Sequence, residues 1–367
     1  MKILIVRMWP YELNIYNYNC QEIGLAKSLI KKGNTCDIVL YTDGESREED
    51  YSFDDNKKIH IYYLKAKNIL KNCFYEKKLY KIIEKYDVVQ SSEYDQLSNI
   101  KLFKKLGNKL TIYHGPYKSK YTKGYNIKCK ISDFIITFFP KYRKVKIITK
   151  SLLAKEFLNE KNFNNIYNIG VGLDTERFDN CKENKDINEL IEEKDNNKYY
   201  LYIGRIEERR SILFLLSVFK KVFEKNKKIK LIIVGNGEKN YTDKCMNYIK
   251  ENNLNDNIYY FKSLNQDELP NLYDCCDVFV LPTQYEIFGM VLLEALYFNL
   301  KVITTYNGGS SMLINEKNGI ICESNNFNDW YNAINNLANR SKNNKGNMKE
   351  LTWDYLVKKF LEAYKES

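Results

Sequence analysis

A chain of 367 residues exceeds what one ordinary hydrophobic core supports, so two domains are expected, and 44% apolar residues suffice to fill them. Nine cysteines without a C-x-x-C pair, and only two histidines, exclude a zinc cluster or disulfide framework and fit reduced thiols in a cytosol. The formal net charge of +11 is lopsided, because residues 1–190 hold 34 Lys and Arg against 24 Asp and Glu, so the first half is expected to face something anionic.

The chain opens on Ile3–Val6, a strand-like run cut off by Arg7 and Trp9-Pro10 and too short for a signal-peptide core or a membrane span. Further buried strands are predicted at Cys36–Tyr41, Val88–Gln90, Leu110–Tyr113 and Val145–Ile148, with helical spacing over Gln21–Lys32 and Lys77–Lys85. In the second half the strands are Tyr199–Ile203, Lys230–Val234, Ile258–Phe261, Val278–Leu281 and Lys301–Thr304. The helices between them are Ser211–Glu224, Tyr241–Asn252, Asp267–Tyr273 and Met290–Phe298. This alternation implies an α/β chain with two doubly wound, Rossmann-like parallel sheets facing a central cleft. The expected division is 1–172, a polar linker at 173–198, a second domain at 199–350, and a last helix in 351–367 packing back towards the first domain.

In doubly wound sheets, ligands bind beyond the carboxyl ends of the strands. The richest such place is Leu281–Ala295, where a strand leads through the loop Pro282–Ile287 to a helix opened by Gly289. The N–H groups of that helix start suit an anion, and glycine permits close approach. Glu286 and Glu294 lie eight residues apart, on the order of 12 Å at helical rise. That is too far to share a proton or flank one glycosidic bond, but suits gripping two ends of an elongated polar ligand. Solvated carboxylates are the plain alternative, and the apolar neighbours Leu293, Ala295 and Leu296 count against it for Glu294.

A second place follows Tyr199–Ile203. Gly204 permits the exit, and Arg205, Arg209 and Arg210 precede the next helix, where guanidinium forks suit a diphosphate. A charged turn stitched to Glu207 and Glu208 is the plain alternative. Val234-Gly235-Asn236-Gly237 is a shorter turn on the same rim. The spacing is neither a Walker loop nor G-x-G-x-x-G.

Taken in order, Val171–Phe178, Gly204-Arg205, Val234–Gly237, the Glu286-to-Glu294 motif, Gly308-Gly309, Asn318-Gly319 and Trp353 resemble the large retaining glycosyltransferase family of GT-B fold that includes sucrose synthase and bacterial glycogen synthase. The similarity covers nearly all of 165–367 and continues weakly through Gln21–Ala26. It implies a hexose-type sugar moved, with retained configuration, from a UDP- or GDP-sugar to a glycan or lipid-linked acceptor in cell-envelope synthesis. No divalent metal or other cofactor is implied. Arg205 and Arg210 would hold the diphosphate with Gly204 and Gly235. Glu286 would contact the sugar, backbone N–H groups of Phe288, Gly289, Met290 and Val291 would assist, and Glu294 would bind ribose. His114, after the strand Leu110–Tyr113, matches the family's cleft histidine.

The chain departs from the family in three places. Arg210-Ser211 stands for Lys-Gly, the region around Ser311-Met312 lacks a glutamate, and Trp9–Asn19 holds no glycine. An idle glycan-binding scaffold and a same-fold epimerase or phosphorylase remain as rivals.

Two first-half segments, Lys65–Lys85 and Lys118–Lys155, interleave lysines with aromatic and aliphatic residues, a pattern suited to an anionic membrane surface or to an ordinary solvated helix face. No nucleic-acid recognition motif accompanies the charge. A cytoplasmic protein, peripheral on the inner face of the membrane, is therefore the expectation.

Overall fold

The structure is a computed structural model, and it describes residues 1–16, 20–194, 197–338 and 349–366. Part of the expected linker, part of the glycine-free Trp9–Asn19 segment and the end of the expected second domain lie outside the described residues. The chain forms two compact units, divided after Asp174 and again before Glu350, so the last helix belongs to the first unit.

In chain order the first unit contains β1 (Lys2–Val6), α1 (Gln21–Lys31), β2 (Thr35–Thr42), β3 (Arg47–Asp54), β4 (Lys57–Ile69) and β5 (Asn72–Tyr75). There follow α2 (Lys78–Ile82), β6 (Val88–Ser92), α3 (Ser98–Leu106), β7 (Leu110–His114), α4 (Lys123–Thr137), β8 (Lys146–Thr149), α5 (Leu152–Asn159) and β9 (Ile166–Asn168). The sheet order is β3-β4-β2-β1-β6-β7-β8-β9, with β5 hairpinned onto β4. All pairs are parallel except β3–β4 and β4–β5. The central strand β1 is apolar at all its buried positions, as a strand covered on both faces must be; β7 is buried throughout and carries Thr111 and His114 among its apolar residues. The basic segment Lys65–Lys85 is no single helix: it holds the end of β4, all of β5 and the short α2.

The second unit contains α6 (Lys185–Glu192), β10 (Lys198–Ile203), α7 (Ile212–Lys225), β11 (Ile229–Val234), α8 (Lys239–Glu251), β12 (Ile258–Phe261) and α9 (Leu269–Cys275). It continues with β13 (Val278–Leu281), α10 (Met290–Tyr297), β14 (Lys301–Thr305), α11 (Ser310–Leu313), β15 (Gly319–Cys322) and α12 (Phe327–Ala338). Its sheet is wholly parallel in the order β12-β11-β10-β13-β14-β15. That order reverses between β10 and β13, the switch point at which doubly wound sheets bind ligands. The segment expected as linker is not loose, because α6 buries Ile187 and Leu190, and Lys182 N–H donates to the Asp267 carbonyl at 2.8 Å.

The chain ends in α13 (Trp353–Lys365), packed on the first unit. Trp353 is fully buried in a hollow that only glycine leaves open: a Cβ on Gly24 would stand 2.4 Å from its ring, and one on Gly172 would stand 2.6 Å from its backbone nitrogen. Tyr364 Oη donates to Gln90 Oε1 at 2.7 Å, and Lys27 Nζ meets Asp174 Oδ2 at 2.9 Å inside the same packing layer. Among the described residues no helix is long and apolar enough to cross a membrane.

Candidate functional site

In the second unit, the two loops singled out from the sequence leave the sheet on either side of its switch point. β10 ends at Ile203 and β13 at Leu281, and the following segments are stitched together by backbone: Gln284 N–H donates to the Arg209 carbonyl at 2.8 Å. Arg209 Nη1 donates to the Tyr285 carbonyl at 2.8 Å, and Arg209 Nη2 meets Glu207 Oε1 at 2.6 Å. Arg209 is thus the clamp that fixes the turn.

Arg210 and Glu286 are brought together directly, Nη1 against Oε2, with both side chains mostly buried. Burial works against the Arg210 charge, but Glu286, Tyr202 and Glu207 together outweigh it, so the guanidinium is held protonated above its ordinary value. Arg210 Nε is buried without a directed hydrogen bond, its nearest carboxylate oxygen on Glu207 being 3.9 Å away. A buried cationic donor with no acceptor is an anion-binding group in waiting. Arg205, by contrast, is largely exposed, with only a 3.9 Å approach to Glu207.

The glycines have specific reasons. Gly289 caps α10 with φ +80°, a left-handed conformation that costs other residues. A Cβ on Gly309 would lie 1.7 Å from the Phe288 carbonyl, so this glycine lets the α11 start close against the loop that carries Glu286. The Gly308 N–H donates to the Glu286 carbonyl at 3.0 Å, which fixes that residue's backbone. Gly204 and Gly235 pack backbone to backbone, since a Cβ on Gly235 would meet the Gly204 carbonyl at 1.9 Å.

Glu294 is placed differently from Glu286. It is buried in α10, accepts a 2.8 Å hydrogen bond from Tyr273 Oη, and has its carboxyl raised by burial, which that bond only partly offsets. Because α10 begins at Met290, only the last four of the seven residues between the two glutamates are helical. Helical rise over the whole interval therefore does not apply. Phe288 and Met290 are buried, and Val291 is half-buried.

The first unit has its own switch point, between β1 and β6. A cavity of about 280 Å³ opens there, lined among others by Arg7, Trp9, Glu22, Glu93 and Lys150. His114 ends β7 fully buried, with Nδ1 2.6 Å from Glu93 Oε2, although neither ring nitrogen makes a well-directed hydrogen bond. Burial pushes the Glu93 carboxyl up, but His114, Lys150 and the Gly115 N–H together hold it below the usual range. Glu93 has φ +58°, a left-handed conformation rare outside glycine, so the fold holds this carboxylate in place at a cost. Sequence reasoning passed over Glu93. The signal for it was its place directly after a buried strand.

Among the described residues, Glu93, Asp95 and His114 form the one group whose ligand atoms approach closely enough to hold a metal ion. Asp95 meets Lys128 at 2.6 Å, and Glu93 and His114 meet each other.

Residues 183–350 match the family described as glycosyl transferases group 1. The chain is similar to an uncharacterized glycosyltransferase of Methanocaldococcus jannaschii, 27% identical over 245 residues, 61% of this chain and 60% of the relative. Another is the UDP-Gal:alpha-D-GlcNAc-diphosphoundecaprenol alpha-1,3-galactosyltransferase of Escherichia coli, 28% identical over 167 residues, 44% of this chain and 42% of the relative. The chain spans about half the length of the curated relatives it matches. In fold it resembles the sucrose-phosphate synthase of Thermosynechococcus elongatus, with a TM-score of 0.75, 16% identity, and 99% of this chain and 98% of that one covered. The chain thus has a GT-B fold.

Proposed function

We propose that this chain is a retaining glycosyltransferase that moves a hexose-type sugar from a nucleoside diphosphate sugar to a glycan or lipid-linked acceptor in cell-envelope synthesis. The observation that carries the reading is the Arg210–Glu286 contact at the switch point of a group 1 unit, with Arg210 Nε left as a buried donor. UDP and GDP are the candidate donor nucleotides. The uridine is favoured by the relative from Escherichia coli, whose name specifies UDP-Gal and a diphosphoundecaprenol acceptor.

In this reading the donor diphosphate meets Arg205, Arg210 and the N–H groups at the start of α10, where the aligned peptide dipoles favour negative charge. The acceptor occupies the switch-point cavity of the first unit. The sugar's anomeric carbon loses its bond to the diphosphate oxygen and gains one to the acceptor hydroxyl oxygen on the same face. The hydroxyl proton passes to the departing phosphate. Glu286 orients the sugar hydroxyls and stabilises the positive charge developing on the ring, while the arginines stabilise the leaving group. Glu294, held by Tyr273, supports the ribose end. The positive charge needed by the leaving group is supplied by side chains and a helix terminus, so a divalent metal has no required part.

The test is turnover of UDP- and GDP-hexoses in the presence of envelope lipid extract, with the product's anomeric configuration read by NMR. Glu286→Gln is expected to cut turnover severely while donor binding is largely kept, and EDTA is expected to have no effect. Near-normal turnover by that variant removes Glu286 from catalysis. A trapped glycosyl adduct, or inhibition by EDTA reversed by magnesium, overturns the same-face, metal-free route.

A further inference from the structure

Helix α4 follows β7 directly after the loop from Gly115 to Thr122 and carries two opposed apolar faces. One holds Cys129, Ser132 and Ile136, buried against the first unit. The other is formed by Ile127, Ile131, Phe134 and, at the C-cap, Phe138, which are 60%, 48%, 66% and 67% exposed. Spacings of four, three and four residues bring these side chains within an arc of roughly 60°. The Phe134 and Phe138 rings meet edge to face at 5.3 Å, so the stripe is continuous at its end.

The β4–β5 turn lies beside this helix, tied by the Lys128 Nζ hydrogen bond to the Lys71 carbonyl at 3.3 Å. Leu70 and Lys71 both take positive φ, +51° and +60°, which is costly for two residues that are not glycine. The turn leaves Ile69 and Leu70 exposed, Leu70 by 78%.

The surrounding charge has one sign. Between Asp95 and Ser151 the chain has 14 Lys and Arg against a single acidic residue, Asp133, which is paired with Lys161. Lys123 and Lys130 flank the stripe on its own helix. An exposed aromatic and aliphatic stripe with a cationic rim is the chemistry of an interfacial helix on anionic lipid. A second copy would set the same positive rims against each other, and nucleic acid would have no use for the apolar stripe.

We propose that Ile127, Ile131, Phe134 and Phe138, with the Leu70 turn, insert into the headgroup layer of an anionic bilayer while the neighbouring lysines meet its phosphates. This deepens the acceptor side of the functional reading, since the α4 surface is joined through one loop to the strand that ends at His114. Its test reads membrane partition alone, so it stands or falls apart from the donor assignment.

The experiment is flotation of the full chain with phosphatidylcholine vesicles that contain or lack phosphatidylglycerol. The parent is expected to float with the anionic vesicles at low salt and to release as ionic strength rises. The double variant Phe134→Ser, Phe138→Ser is expected to partition roughly tenfold less or weaker still, the loss that follows from one or more buried aromatic side chains. Its thermal midpoint should match the parent's, because both rings are exposed. Equal flotation of variant and parent, or no flotation of the parent with anionic vesicles, overturns the proposal. So does sedimentation equilibrium that shows a parent dimer dissolved by the double variant, which would make a second copy the occupant.

Discussion

Arg210 Nη1 contacts Glu286 Oε2 and so joins the turn after β10 to the loop after β13 across the switch point of the second unit. Both side chains are mostly buried, so removing either leaves the other's charge less compensated. The expected pattern for Arg210→Ala and Glu286→Gln is therefore coupling. Arg210→Ala should lower stability by about 3 kcal/mol, and adding Glu286→Gln to it should recover part of that loss. Denaturant midpoints of the two single variants and the double variant supply the cycle, and strictly additive effects would deny the pairing.

Arg205 makes only the long approach to Glu207, so its loss should hardly change stability. Its expected role lies with ligand. Arg205→Ala should weaken nucleoside diphosphate binding by roughly 1.5–3 kcal/mol and leave nucleoside binding nearly unchanged. Calorimetry with both ligands decides it, and equal diphosphate affinity in parent and variant would remove Arg205 from the phosphate site.

Ser211 stands where the resembling family has glycine, and it takes φ +52°, ψ +39° at the start of α7 without a capping hydrogen bond from its side chain. The left-handed conformation costs a non-glycine residue about 1 kcal/mol, and no compensating cap is lost on replacement. Ser211→Gly is expected to raise stability by up to about that amount, less the added freedom of the unfolded chain. A lower thermal midpoint for the glycine variant would show that the serine is held there for another reason.

Glu294 gives a pH dependence. Burial raises its carboxyl above the ordinary 4.5, so the folded state holds a proton that the unfolded state releases. The associated stability is complete below pH 4.5 and is lost as pH rises through the raised folded value. The slope reaches at most about 1.4 kcal/mol per pH unit. Glu294→Gln keeps an acceptor for Tyr273 and has no proton to lose. Its stability relative to the parent should climb with pH across that window and then level off. Parallel midpoints at every pH would show Glu294 ionised with ease in the folded protein.

The parts of the fold legible in the sequence were those built on continuous apolar runs. β1 and β13 stand where Ile3–Val6 and Val278–Leu281 indicated, because buried parallel strands need apolar residues on both faces. β3 was illegible for the opposite reason: Arg47–Asp54 is an exposed antiparallel edge whose charged residues pair with β4 and the elements beside it. β4 escaped because its buried residues alternate with polar ones and its end runs into the basic hairpin.

At the candidate site, residue types and loop ends were readable from strand-then-glycine patterns. The Arg210–Glu286 contact was not, since it joins segments far apart in sequence and depends on which strands become neighbours. Nor was the burial of Glu294, which requires Tyr273 of α9 to arrive beside α10.

The return of α13 to the first unit has a consequence for synthesis on the ribosome. The hollow between Gly24 and Gly172 is filled by Trp353, so the first-made unit is finished only by a helix made after the second unit. The second unit, encoded wholly between those two stretches, has all its strands available earlier. Translation therefore completes the second unit first, reversing the usual order in which amino-terminal domains mature. The nascent first unit waits, with an open apolar notch in need of shelter, until α13 has been made.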